Sequence, residues 1–353
     1  MQPTGSSPTP AVSGFGSLDA VLRLAEASRW RAPDATAVLA EHAKRLAGAA
    51  GDTAGGLRAE AWLAHGLVAI GRGVSAVPLA AAALPRAVRG ADSEVEARLR
   101  VELASVAHDL GEAGHAESLL APVRNRRDLP TALRADIAAQ AAVLHPQNQQ
   151  LVDAAVDLLR QLGGEAGELG MAWVDALLAQ QLSEHGQPEA AIRRARDGLR
   201  TVLGERPRAG ALEPVAPHLA LRLAVELSLA LVKVGHRGPI NEIAEPMLGW
   251  QARSASLVPA TRLRLALAGH VQLPAGEHRE ALAHIDWVSR AITGQDLPEL
   301  EAECHQVGAK LAEARGEPSD ALAAGRAARL AHRLYKTRVE YARQVLAEVA
   351  VGH

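Results

Sequence analysis

The side chains best suited to chemistry are 14 histidines, a single cysteine and 38 lysines and arginines set against 40 acids. A zinc site of the metallopeptidase kind needs two histidines at i and i+4 with a glutamate between them, so that both rings leave one helix face toward one ion. No such spacing occurs. His278 and His284, close to Asp286, are six positions apart, which sends the two rings to different faces of a helix. Cys304 and His305 are adjacent, and on a helix neighbouring side chains diverge by about 100°. A catalytic thiol needs a base converging on it in space, which adjacency does not supply. Gly48–Gly56 and Gly163–Gly170 lack the Gly-Lys-Ser/Thr ending of a phosphate-binding loop and a preceding strand, and they read as inter-helix loops. There is no Gly-x-Ser-x-Gly elbow and no acidic run with calcium-loop spacing. The reading is a non-enzymatic protein with no catalytic residue, cofactor or metal.

Arginines are the other candidates. Arg193, Arg194, Arg196 and Arg200 fall on one expected helix, and Arg124, Arg126 and Arg127 in a loop. Interleaved aromatics, which would stack on bases, are missing, and Glu184 and Glu189 offer local pairing. These read as solvated faces. With a net charge of −2, no global field draws the chain onto nucleic acid or an anionic membrane. The lone cysteine excludes an internal disulfide and fits a reducing cytoplasm. The longest apolar run, Leu219 to Val234, is interrupted by Arg222, Glu226 and Lys233, so it is not expected to span a bilayer. A cytoplasmic location is the expectation.

Positioning such residues falls to helices. Hydrophobic residues make up 48% of the chain but aromatics only 2%, and an Ala, Leu and Val core suits helices packed at short range. Residues 1–16 are rich in Ser, Thr, Pro and Gly and read as a disordered leader. From Ser17 on, nearly every stretch is helix-forming, with breaks at Gly, Pro or Asn clusters such as Gly51–Gly56, Asn125–Pro130, Gly204–Gly210 and Gly316–Pro318.

A repeat frame underlies the breaks. Gly71 is preceded at seven and four positions by Ala64 and Leu67, and followed at five, nine and twelve by Ala76, Ala80 and Ala83. Gly111 has Ala104 and Ala107 before it, then Ala116, Leu120 and Val123; Gly186, Gly235, Gly276 and Gly316 carry similar frames. A degenerate copy spans Leu133 to Leu159 around Pro146, and a first pair runs from Leu18 to Leu46.

This recurrence resembles the tetratricopeptide family across residues 17–330. The glycine turns the chain between antiparallel helices, small residues let the pair close up, and neighbouring pairs stack because none buries its face alone. The period is about 40 against the usual 34, and consensus aromatics are mostly Ala or Leu, a drift similar to that in helical arrays of large actinobacterial regulators. The resemblance implies an all-α, right-handed α-solenoid or superhelix of about seven to eight antiparallel hairpins over residues 17–325. It also implies ligand contacts from the first helix of each hairpin, which lines a concave groove.

Carried over position by position, the groove residues are Arg58, Trp62 and His65, then Arg98, Ser105 and His108, then Gln180, Ser183 and Glu184. Arg222 and Lys233, His270, and finally Gln306 and Lys310 complete the wall. Repeated polar groups there suit an extended peptide backbone. Ala61 and His65 stand where the family's carboxylate-binding variant has lysine and asparagine, so that clamp is not expected.

The last segment differs. From Pro318 a helix need not stop until Val351, and residues 326–353 read as a capping, dimerisation or linker helix. Leu330, Leu334, Tyr335, Tyr341 and Val345 are its candidate self-association residues, and Arg326, Arg329, Arg333 and Lys336 form a basic stripe on another face. The functional expectation is a cytoplasmic regulatory scaffold that binds a protein or peptide through its groove. The alternative is the sensory or dimerising region of a bacterial signalling protein or transcriptional regulator whose output domain lies outside this chain.

Overall fold

The computed structural model describes residues 17–204, 214–251 and 253–351; the leader at 1–16 lies outside the described residues. Sixteen helices follow one another, with no strand among the described residues. They are α1 (Leu18–Ser28), α2 (Pro33–Ala50), α3 (Thr53–Ala69), α4 (Gly73–Arg89), α5 (Ser93–Asp109), α6 (Ala113–Leu120), α7 (Thr131–Leu144) and α8 (Gln149–Leu162). The second half holds α9 (Gly164–Glu184), α10 (Pro188–Leu203), α11 (Pro217–Lys233), α12 (Gly238–Leu248), α13 (Ser254–Ala266), α14 (His278–Ile292), α15 (Pro298–Ala314) and α16 (Pro318–Val351). Between α13 and α14 the helix runs on through a π-helical turn, Leu267–Gln272, and a short piece, Leu273–Ala275.

Local signals explain the boundaries. Asp52 and Asp92 cap α3 and α5, their carboxylates accepting from Gly55 N at 2.8 Å and Val95 N at 3.1 Å. Proline opens α2, α10, α11, α15 and α16, where a missing amide proton costs nothing. At the α3–α4 turn, Gly71 has φ of +82°, Arg72 N bonds Leu67 O at 2.8 Å and Gly71 N bonds Val68 O at 3.0 Å. That left-handed cap lets the chain reverse. Gly111, Gly186, Gly235, Gly276 and Gly316 also have positive φ.

The small residues of the frame sit where helices cross. Ala64, Ala76, Ala80, Ala83, Ala104, Ala107 and Ala116 are all buried. At Gly198 a Cβ would come within 2.7 Å of Leu223, so α10 approaches α11 more closely than any side chain permits. The glycine-rich stretches are loops only in part. Gly51 and Gly163 stand at the α2–α3 and α8–α9 junctions as expected, but Gly48 lies in the last turn of α2, Gly55 and Gly56 in the first turn of α3, and Gly167 and Gly170 inside α9. A Cβ at Gly170 would meet Leu159 at 2.6 Å, so glycine serves the packing of α8 on α9.

Each helix packs on its neighbour in sequence, and α1, α3, α5, α7, α9, α11, α13 and α15 also contact one another in order, forming an inner wall. The row then closes on itself. Helix α16 runs unbroken through residues 325–326, and its second half packs on α4, α5 and α6. There Val339, Ala342, Leu346 and Val349 join a core with Val77, Leu84, Leu110 and Leu120. Arg343 donates to Leu110 O at 2.6 Å and pairs with Glu112 at 3.1 Å; Arg338 grips Asp296 with both terminal nitrogens, at 3.1 and 2.7 Å. No described helix is long and apolar enough to cross a membrane.

Candidate functional site

Three of the groove candidates come together. Arg58 and Trp62 of α3 and Arg98 of α5 line a groove of about 380 Å³ with Asp19, Arg23 and Glu26 of α1 and Glu94 of α5. Arg98 stacks on Trp62, its guanidinium carbon 4.5 Å from the ring centre, and bonds Asp136 at 2.5 Å. Below it His65 is buried, with Nδ1 2.8 Å from Glu102 Oε1 and its ring edge-on to Trp62. Buried charges need such partners, because an unpaired one forfeits its hydration without return. At the rim Arg58 meets Asp19 at 3.2 Å, both well exposed, so this pair is easily traded for other partners. Ser105 stands deeper, beside a small cavity bounded by Trp30, His65 and Trp173.

A second cavity, about 260 Å³, lies where the array closes. Its wall takes Asp109 from α5, Trp173 and Gln180 from α9, His218, Arg222 and Glu226 from α11, Arg262 from α13, Glu299 from α15, and Tyr335 and Arg338 from α16. Apolar surface comes from Val68, Ile70, Val106, Val225, Val258 and Leu297. Arg222 stacks on Trp173 at 4.6 Å and donates to Gln180 Oε1 at 3.3 Å. Arg262 pairs with Glu299 at 2.7 Å. Arg222, Asp109 and Glu226 form no ion pair among the described residues.

Burial sets the proton affinities here. Glu226 is 8% exposed, and desolvation pushes its carboxyl up to about 7 against the pull of Arg222 and Arg262. Asp109 is exposed at the cavity wall; crowding around its carboxyl raises its pKa too, with Arg222 the main opposing influence. His218 is driven down to about 3 by burial and by Arg222, so it is neutral near pH 7.

The other candidates scatter. Ser183 is buried, and its carbonyl accepts from Lys233 Nζ at 2.8 Å. Glu184 is exposed and accepts from Gln180 and Gln181. His108 is half-buried beside Asp109. His270, in the π-helical turn, is exposed, as are Gln306 and Lys310 of α15; burial and the nearby Lys310 lower the His270 pKa. On α16, Leu330, Leu334 and Tyr341 are exposed, whereas Tyr335 and Val345 pack inward against α4–α6. The loop arginines are held locally: Arg124 by Glu117 and Arg126 by Asp128, both at 2.5 Å. No group of three or more metal-ligating side chains converges among the described residues.

Asp109, Trp173, His218, Glu226 and Arg262 were not among the expected site residues. One signal pointed to one of them: Glu226, one helical turn after Arg222, interrupts the most apolar run of the chain. Comparison with protein-family models finds no matching family, and no curated protein matches the sequence.

Proposed function

We propose that this chain is a non-enzymatic scaffold of the tetratricopeptide kind, a right-handed superhelix of eight helix pairs that takes a protein or peptide partner along its inner wall in cytoplasmic regulation. The observation that carries the reading is the convergence of Arg58, Trp62 and Arg98, from two successive first helices, on one open groove. Such a surface offers an indole face, a guanidinium fixed on that face, and rim charges whose present pairing is weak. Those are the elements that hold an extended segment: aromatic area for affinity, and polar groups for its backbone and charged side chains. Selection of a random peptide library on the full chain tests it. Enriched sequences that bind wild type and lose binding to Arg58→Glu support the reading; no enrichment over an unrelated helical protein contradicts it.

One observation favours the sensory or dimerising alternative. Leu330, Leu334 and Tyr341 expose apolar surface along the outer face of α16, the helix whose other face seals the array. A second copy would cover them, linking what the array binds to the assembly state of α16.

A further inference from the structure

The closure cavity holds charges that the fold keeps apart. Arg222 and Glu226 are one turn apart on α11, a spacing at which opposite charges ordinarily pair. Here they do not, because the guanidinium is drawn onto the Trp173 ring and toward Gln180. Glu226 is left more than nine-tenths buried, facing the cavity with no hydrogen bond among the described residues. Asp109, on the α5 side of the wall, is exposed and makes no ion pair among the described residues, while Arg262 pairs with Glu299 through one terminal nitrogen and keeps its buried Nε without a partner. A buried charge kept waiting beside its natural counter-charge is costly to the fold and is the usual mark of a site built for something else.

The complementary ligand can be read from that wall. A simple amine would answer Glu226 and leave Arg222 without an anion. A simple carboxylate would answer Arg222 and leave the buried Glu226 uncompensated. A molecule carrying both groups on one carbon matches two opposite charges about one helical turn apart. The apolar patch of Val68, Ile70, Val106 and Val258 would take an aliphatic or aromatic body. We propose that this cavity is a small-molecule site for the zwitterionic head group of an amino acid, its carboxylate on Arg222 and its ammonium on Glu226. The site is distinct from the Arg58 groove and shares no residue with it. Because Tyr335 and Arg338 of α16 complete its wall, occupancy holds the array closed.

The test is a melting-shift screen of the full chain against each of the twenty standard L-amino acids and dipeptides made from them. Titration calorimetry follows on the strongest hit, on its decarboxylated amine and on its deaminated acid. The expected result is stabilisation by a subset with apolar side chains, and at least about tenfold weaker binding of the amine and the acid. Arg222→Gln and the isosteric Glu226→Gln each weaken the hit by about tenfold or more, while Arg58→Glu leaves it unchanged. Tighter binding of a dipeptide than of its free residues overturns the proposal, because its ammonium and carboxylate sit on different α-carbons. The proposal is overturned if no amino acid shifts the melt, if the amine or acid alone binds as tightly, or if both cavity variants bind like wild type. Peptides selected at the Arg58 groove are unaffected by that outcome.

Discussion

The indole of Trp30, in the connection between α1 and α2, lies against that of Trp173 in α9, their ring centres 5.4 Å apart. The first pair of helices therefore touches the middle of the chain across the inside of the array. Trp30 also meets His65 edge-on at 5.8 Å, and Arg31 reaches Glu165 at 3.9 Å. An inner wall that would stand open in a loosely wound spiral is divided by this contact. What remains is a groove around Arg58 and Trp62 on one side and a cavity around Arg222 on the other.

Glu226 makes the stability of the chain depend on pH in a stated direction. Its carboxyl titrates near 7 when folded against 4.5 when free, so the folded state holds the proton more tightly. The stabilisation is complete below pH 4.5 and is lost as pH rises through 7. At 1.36 kcal/mol per pKa unit this is roughly 3 kcal/mol. Asp175, raised to about 6 by burial, adds a change of the same sign. Urea midpoints of wild type and Glu226→Gln from pH 5 to 8 isolate the Glu226 part: the variant gains on wild type as pH rises. A constant gap contradicts the assignment.

Closure by α16 rests on side chains such as Leu346, fully buried against α4 and α6. Leu346→Ala should cost about 3 kcal/mol. Hydrogen exchange should quicken in α4 and α6 as well as in α16. Loosening confined to α16 would mean that the helix does not seal the array.

Much of this architecture is legible in the sequence, for a physical reason. Turns and helix crossings are local: Gly71 and its flanking Ala64 and Ala76 specify a reversal and a close approach without reference to distant residues. Closure is not local. That Leu346 lands on α4, or Trp30 on Trp173, follows from curvature accumulated over many helix pairs, which no single spacing encodes. His65 reads as a wall residue from its register, yet Trp30 lies against it and it is buried. Arg222 and Glu226 stand out as charges in an apolar run. Whether they face a neighbour or a cavity depends on how α5, α13 and α16 arrive around them.

Helix crossings of the repeat leave no room for bulk. Ala191, at the start of α10, is completely buried against α9 and α11. Ala191→Trp should lower the melting temperature sharply or abolish cooperative melting, since an indole cannot enter without displacing backbone. A near-native circular-dichroism melt would contradict the packing described.

The outer face of α16 gives a test of assembly. Light scattering should report a dimer at high protein concentration and a monomer for the Leu330→Asp, Leu334→Asp double variant, with both melting alike, because these side chains are half-exposed and contribute little to the fold. Monomer mass for wild type at every concentration would remove the dimerisation reading while leaving the groove intact.

The groove account is tested most directly by the dissociation constant of a library-selected peptide for wild type and for Arg58→Glu. Arg58 is an exposed rim residue whose pairing with Asp19 adds little to stability, so the variant should fold and melt like wild type. The account predicts a dissociation constant raised by about tenfold or more, a loss of at least about 1.4 kcal/mol. Equal affinity for the two proteins would place recognition elsewhere and contradict it.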